Sequence, residues 1–211
     1  MIFNWHPLPL QSLADRIEHL AGAVRPAVIG LNGHSSSGKT TLGRDLAATL
    51  ARCAVLHTDD LAWHHGVFSW DRLLIDDVLP VVRSGHALSY RPPAWLVRDR
   101  EGAIELPGDL QYLILEGVGA TQGSVRAELA VAIWVETDEP TRLARDAERV
   151  AAGEISAASY TGWMAEENAY VTDQRPWEDA DLVINGGDAH RDRDSQVVIA
   201  ERMAEAPNVT W

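Results

Sequence analysis

Residues Gly33-His34-Ser35-Ser36-Ser37-Gly38-Lys39-Thr40 meet every fixed position of the phosphate-binding pattern G-x-x-x-x-G-K-[ST]. Ahead of them, Pro26-Ala27-Val28-Ile29-Gly30-Leu31-Asn32 is a short apolar run of the kind a buried parallel strand shows, and Thr41 through Arg52 reads as a helix. Strand, glycine loop and helix is the context the pattern needs. The glycines let the backbone curl so that successive N–H groups, on through Thr41, point at one anion, and the helix N-terminus adds a favourable partial charge. Lys39 is placed to reach the outer phosphates, and the hydroxyl of Thr40 to take a position on Mg²⁺. Of the 18 basic residues, Lys39 is the only lysine and the other 17 are arginine. A lone lysine at this position points to a specific task.

The net charge, 18 − 31 = −13, disfavours nucleic acid and anionic membrane surfaces as partners. An acidic chain that binds a polyanion needs local donors, which the loop and a few arginines supply. Apolar content of 46% and charged content of 23% are those of a soluble globular domain. Cys53 stands alone, so neither an intrachain disulfide nor a cysteine zinc site is available. Met1 to Pro7 lacks the basic and apolar regions of a signal peptide, and no apolar run approaches about 18 residues, so a cytoplasmic location is expected. In that setting Asn208-Val209-Thr210 is a chance glycosylation match.

Along the chain, residues 11–21 carry apolar residues at helical spacing and stop at Gly22. Ala54 to Thr58 reads as a second strand and ends on Asp59-Asp60. Leu61 to Ser69 is a loop containing Trp63, His64 and His65; Trp70 to Ser84 is a helix that Pro80 is placed to kink. Arg91-Pro92-Pro93 breaks regular structure, and Trp95 to Leu106 is expected to form a small hairpin turning at 99–102. Gln111 to Leu115 is a strand ending on Glu116-Gly117, and Leu129 to Val135 is another. Asp138-Glu139-Pro140 opens a helix that runs to about Val150, 151–159 is loop, Tyr160 to Thr172 a helix, and 180–184 the last strand. The tail from Gln196 to Ala204 reads as weakly helical. Five short apolar strands alternating with helices predict an α/β fold: a five-stranded, mainly parallel sheet covered by helices on both faces.

In such a sheet, ligands bind beyond the carboxyl ends of the strands. The loop, Asp59-Asp60 and Glu116 all stand at strand ends and are expected to converge. A carboxylate beside the loop is suited to hold Mg²⁺, which places Glu116, with Asp59 as a further candidate, on the metal beside Thr40. Asp59 also suits the role of base. A hydroxyl acceptor must lose a proton, whereas a phosphate acceptor is already ionised and needs arginine clamps, so the acidic pair favours a hydroxyl. Arg142, Arg145 and Arg149 share a helix face, where they either reach over the phosphates, Arg149 foremost, or pair with Asp138, Asp146 and Glu148. Asp60, Trp63, Arg91, Trp95 and Arg145 are candidate acceptor contacts. Trp70 and Trp163 are further stacking candidates that serve equally as core, and His64-His65 lacks a third ligand.

The order of these pieces, over roughly residues 26–186, resembles the uridine kinase and phosphoribulokinase branch of the P-loop kinases. Thr58-Asp59-Asp60-Leu61 resembles the family's Asp-containing motif, and Gly85 to Pro93 its acceptor segment. Leu115-Glu116-Gly117-Val118 is similar to the family's strand ending in Glu-Gly. Val135 to Asp138, with Arg142-Leu143-Ala144-Arg145 and Arg149, looks like the lid. Two positions depart: Pro93-Ala94 stands where a Tyr-Asp pair is expected, and Arg149-Val150 where the lid has Arg-Asp.

The resemblance implies a three-layer P-loop nucleoside triphosphate hydrolase fold. It implies one kinase domain over 1–211, with its core at 26–186, an acceptor insertion at 86–108 and a lid at 142–160. It further implies ATP and Mg²⁺ as cofactors, a small-molecule acceptor such as a nucleoside, and an oligomeric state left open. The alternatives are a nucleoside monophosphate kinase, gripping phosphate with Arg91, Arg98 or Arg100, and an ATP-binding regulatory protein without turnover.

Overall fold

The computed structural model describes residues 3–187 and 196–201. Its elements run β1 (Asn4–Pro9), α1 (Leu10–Ala21), β2 (Ala27–Gly33), α2 (Lys39–Thr49), β3 (Cys53–His57) and α3 (Thr58–Ala62). A π-type turn over Leu73–Val78 leads into α4 (Leu79–Arg83), followed by β4 (Leu88–Tyr90), α5 (Pro93–Val97) and β5 (Ile104–Leu106). The second half holds β6 (Tyr112–Glu116), α6 (Gly123–Arg126), β7 (Val131–Glu136), α7 (Glu139–Ala151), α8 (Ala157–Gln174), β8 (Leu182–Asn185) and β9 (Gln196–Glu201).

The main sheet has seven strands in the order β1-β9-β8-β7-β2-β6-β3. The five strands expected from the sequence are its parallel part, β3-β6-β2-β7-β8, with the loop-bearing β2 between β6 and β7. Two antiparallel strands, β9 and β1, extend it beyond β8 and correct the expected count. β1 is a strand with prolines at 7 and 9, which its place at the sheet edge tolerates. β9 replaces the expected helix over its residues: Val197, Val198 and Ile199 are β-branched and favour the extended chain. Residues 202–204 of that expected helix, and Asn208 to Thr210, lie outside the described residues.

Strand alternation sends side chains to two cores. Ile29, Leu31, Ile114, Ile133 and Ile184 pack against Leu13 and Ile17 of α1 and Leu42 and Leu46 of α2. On the opposite face, Val28, Leu113 and Leu115 meet Trp70, Leu74, Val78, Leu79 and Val82, together with Leu88, Trp95, Ile104 and Leu106 from the 88–106 segment. A third cluster joins Trp134 and Val183 to Tyr170 and Val171 of α8. Full burial of a large apolar side chain contributes roughly 1.5–3 kcal/mol each, so these faces hold the strand ends rigidly beneath the loop.

The expected kink at Pro80 takes the form of the widened turn just before it. Pro80 has no N–H to return to the carbonyl of Asp76, and Leu79 N–H bonds instead to Leu74 O, five residues back. The expected hairpin over 95–106 is corrected. Leu88–Tyr90 pairs with Ile104–Leu106, and the intervening Pro93 opens a short helix rather than only breaking one, since proline suits the first helical turn. The expected 151–159 loop is shorter, because α8 begins at Ala157. Among the described residues no helix is long and apolar enough to cross a membrane.

Candidate functional site

Beyond the carboxyl ends of β2, β3 and β6 lies a cavity of about 830 Å³. One wall is the loop from Ser35 to Thr41, another is formed by His57, Asp59, Ala62 and Trp63, and a third by Glu116, Gly117 and Val118. Arg145, Asp146, Glu148 and Arg149 of α7, with Ile155, Tyr160 and Trp163, close the remaining side.

The loop is set at its entry by Asn32, a fully buried polar residue at the end of β2 that sequence reasoning passed over. Its carbonyl accepts from Gly33 N at 2.8 Å and Gly119 N at 3.1 Å, and its amide donates to Thr121 Oγ1 at 2.7 Å and Tyr170 OH at 2.8 Å. All four hydrogen bonds an asparagine side chain can readily make are formed, which ties β2 to the turn after β6 and to α8. At its exit the loop enters α2 with Gly38 as N-cap and no side-chain cap, and Lys39, Thr40 and Thr41 of the first turn line the cavity.

Lys39 is buried and its ammonium donates to the loop carbonyl of His34 at 2.7 Å. Burial lowers its pKa, opposed by the charges of Glu116, Glu167 and Asp59. Glu116, also buried, turns one oxygen toward Thr40 Oγ1 at 3.4 Å and the other to His57 Nδ1 at 2.6 Å. His57, not singled out from the sequence, has its pKa raised by that hydrogen bond. Thr40 and Glu116 offer two hard oxygens, a set that Mg²⁺ completes with phosphate oxygens and water rather than with a protein cage. Ser37 Oγ, fully buried, has no hydrogen-bond partner among the described residues.

Asp59 sits in the first turn of α3, open to the cavity mouth and crowded by protein on its inner side. That crowding raises its pKa, with Glu116 and Asp60 adding to the effect and Lys39 and His57 opposing it. Its distance from Glu116 is held by a close approach at Gly117, where a Cβ would stand 1.8 Å from Thr58 Oγ1.

The remaining expected contacts divide. Trp63 lines the cavity. Asp60 does not; it pairs with Arg100 at 2.8 Å, and Arg100 also lies over the rings of Trp63 and Trp95 at 5.1 and 3.5 Å. Trp95 is buried and donates to Asp60 O at 2.9 Å, and Arg91 donates to Arg100 O at 2.6 Å, away from the cavity. Trp70 is wholly core. Among the described residues no group of three His, Cys, Asp or Glu is arranged to hold a metal.

On α7, Arg142 is buried and donates to Thr137 O at 3.2 Å rather than joining an exposed ion-pair face. Arg145 donates to Ser36 O at 2.9 Å and Gly186 O at 3.0 Å. Arg149 lines the cavity and pairs with Glu154 at 3.2 Å. The resemblance leads one to expect an Arg-Asp pair at 149–150, where the chain has Arg149-Val150; Arg145 and Asp146 are the pair that bonds to the loop.

His34 and Ser35 bond to Glu167 of α8, a fully buried carboxylate absent from the sequence expectations. Burial alone would raise its pKa, but hydrogen bonds from His34 and Ser35 and the nearby positive charges prevail and hold it at about 2. Because that lies below the ordinary value of 4.5, the stabilisation is present above pH 4.5 and is lost as the pH falls toward 2. Chemical denaturation across that range is expected to find Glu167→Gln less stable than the wild type by on the order of 2 kcal/mol at neutral pH, with the gap closing in acid.

No family model matches the sequence and no curated protein matches it. Among solved structures, the chain is similar to one described as a "Possible Uridine Kinase" from Bacillus stearothermophilus, with a TM-score of 0.50 and 21% identity over 82% of this chain and 98% of that one. It is likewise similar to a "putative fructose transport system kinase" from Silicibacter sp. TM1040, with a TM-score of 0.50 and 21% identity over 82% of this chain and 95% of that one. The mainly parallel sheet with helices on both faces is the P-loop kinase fold.

Proposed function

We propose that the chain is an ATP-dependent kinase that transfers the γ-phosphoryl group to a hydroxyl of a small molecule. The observation that carries this reading is the convergence on one cavity of the phosphate loop with Lys39, the Thr40–Glu116 pair and the carboxylate of Asp59. Loop N–H groups and Lys39 bind the phosphates; Thr40 and Glu116 hold Mg²⁺. When bound, Mg²⁺ neutralises charge across the phosphate oxygens. Asp59 accepts the proton of the acceptor hydroxyl as its oxygen takes the phosphoryl group and ADP leaves. Arg149 faces the cavity from α7, where its charge favours the transferring group. A cytoplasmic setting, where ATP and Mg²⁺ are both abundant, suits this activity.

The acceptor side supports a hydroxyl over a phosphate. His57, Asp59, Ala62, Trp63, Gly117 and Val118 line it, and the side-chain cations around the cavity, Lys39, Arg145 and Arg149, stand on the loop and lid sides. Arg91 and Arg100 are engaged elsewhere, and Arg98 is exposed outside the cavity. Trp63 presents an aromatic wall suited to a flat or apolar acceptor face.

A panel of unphosphorylated alcohols, beginning with uridine and fructose, run beside nucleoside monophosphates and read by ADP release, tests the proposal. ADP release with at least one unphosphorylated alcohol is expected. Preference for a monophosphate would reassign the acceptor, and ATP binding without ADP release across the panel would favour a regulatory ATP-binding protein.

A further inference from the structure

Two consecutive loop residues are each held from behind by a buried carboxylate that lies outside the motif. Ser35 donates its N–H to both oxygens of Glu167 at 3.1 Å and its hydroxyl to Oε2 at 2.5 Å. His34 Nδ1 lies 2.8 Å from Oε1, and the Trp163 indole donates to Ser35 Oγ at 2.7 Å and to Glu167 Oε2 at 3.0 Å. Ser36 donates its hydroxyl to Asp146 Oδ1 at 2.5 Å, while Tyr160 OH lies 3.2 Å from Oδ2 and Arg145 holds Ser36 O. Glu167 is fully buried and Asp146 is 2% exposed.

Such carboxylates are costly to bury, and packing alone does not require them. Tyr170 and Val171 already seat α8 on the sheet. What they secure is a loop conformation. Ser36 has φ 56°, a left-handed setting uncommon for a serine that costs on the order of 1 kcal/mol unless its surroundings hold it. Glu167 takes up the N–H of Ser35, and the Ser37 N–H is donated back to His34 O at 3.2 Å, so the loop's curl is fixed from both α8 and its own backbone.

We propose that Glu167 is the positioning residue of the phosphate loop, acting with Asp146 to hold Ser35 and Ser36 in the anion-accepting shape before nucleotide arrives. Nucleotide affinity thereby depends on α7 and α8 as well as on the motif. The proposal rests on the loop's being a nucleotide site. The charge of Glu167 also opposes the burial that lowers the pKa of Lys39.

The test is calorimetric titration of Mg-ATP into the wild type, Glu167→Gln, Ser35→Ala and the double variant, with thermal melts of each. Glutamine keeps the size but turns an NH₂ group against donors. Glu167→Gln is expected to weaken binding about ten- to hundredfold and Ser35→Ala about three- to tenfold. The double variant is expected to bind within about twofold of Glu167→Gln, because the two act through one contact. Glu166→Gln, an exposed neighbour, is expected to bind like the wild type. Should Glu167→Gln fail to fold, Ser35→Ala and Trp163→Phe carry the test, each with a several-fold loss expected.

A Glu167 that serves the fold alone would lower the melting temperature and leave the affinity of the folded protein unchanged. That result, or strictly additive losses in the double variant, overturns the proposal while the nucleotide reading stands. A wild type that binds no nucleotide overturns both.

Discussion

Asp59→Asn is expected to lower turnover by about two to four orders of magnitude while nucleotide affinity stays within about threefold of the wild type. The two readouts are expected to separate because, in the proposed roles, the loop and Lys39 take the phosphates while Asp59 serves the acceptor hydroxyl. Asparagine keeps the shape of the side chain and its place in the first turn of α3, but it takes no proton at working pH. Rapid-quench measurement of phosphoryl transfer, paired with calorimetric ATP binding, checks both halves. Near-normal turnover removes the assignment of Asp59 as base. A sharply raised Mg²⁺ requirement, with turnover recovered at high Mg²⁺, would place Asp59 on the metal instead.

Gly186→Ala is the second large effect, and it falls far from the motif in sequence. Gly186 follows β8, and a Cβ there would stand 1.8 Å from the backbone carbonyl of Ser37, 2.6 Å from Thr137 Oγ1 and 2.7 Å from Val135 Cγ1. None of these is the yielding end of a long side chain. Thr137 Oγ1 donates to that same Ser37 carbonyl at 2.9 Å, and Arg145 holds Gly186 O, so the loop has to move. Overpacking of this kind costs about 1–3 kcal/mol, and nucleotide affinity is expected to fall about ten- to hundredfold. Binding titrations check the size of the loss, and a variant with wild-type affinity would mean that the chain after β8 gives way instead of the loop.

How far the site can be read from sequence depends on the range of the physics involved. The loop, its strand and its helix follow a local pattern in which glycine, lysine and hydroxyl each have a fixed place. The five parallel strands are apolar runs bounded by breakers, and strand-end chemistry then brings Asp59 and Glu116 to one cavity. The two antiparallel strands were hidden: prolines obscure β1, and β9 is a short run whose partner, β1, lies at the far end of the chain. Glu167 and Asp146 were illegible as loop contacts because both sit on charged helices where an acidic residue ordinarily faces water. Glu166, next in line, does face it. Their one available signal was spacing: Tyr160, Trp163, Glu167 and Tyr170 stand three, four and three residues apart, a polar stripe on a face that otherwise reads as core. Asn32 is of the same kind, a polar residue in a strand whose four partners come from Gly33, the turn after β6 and α8.

Lys39, buried against the loop and unique in the chain, has a consequence for labelling chemistry. Amine-directed reagents have one side-chain target here, and its lowered pKa leaves more of it in the nucleophilic free-base form. Acylation at that position is expected to fall when the cavity is occupied, with no background from surface lysines and only the α-amine to separate from it.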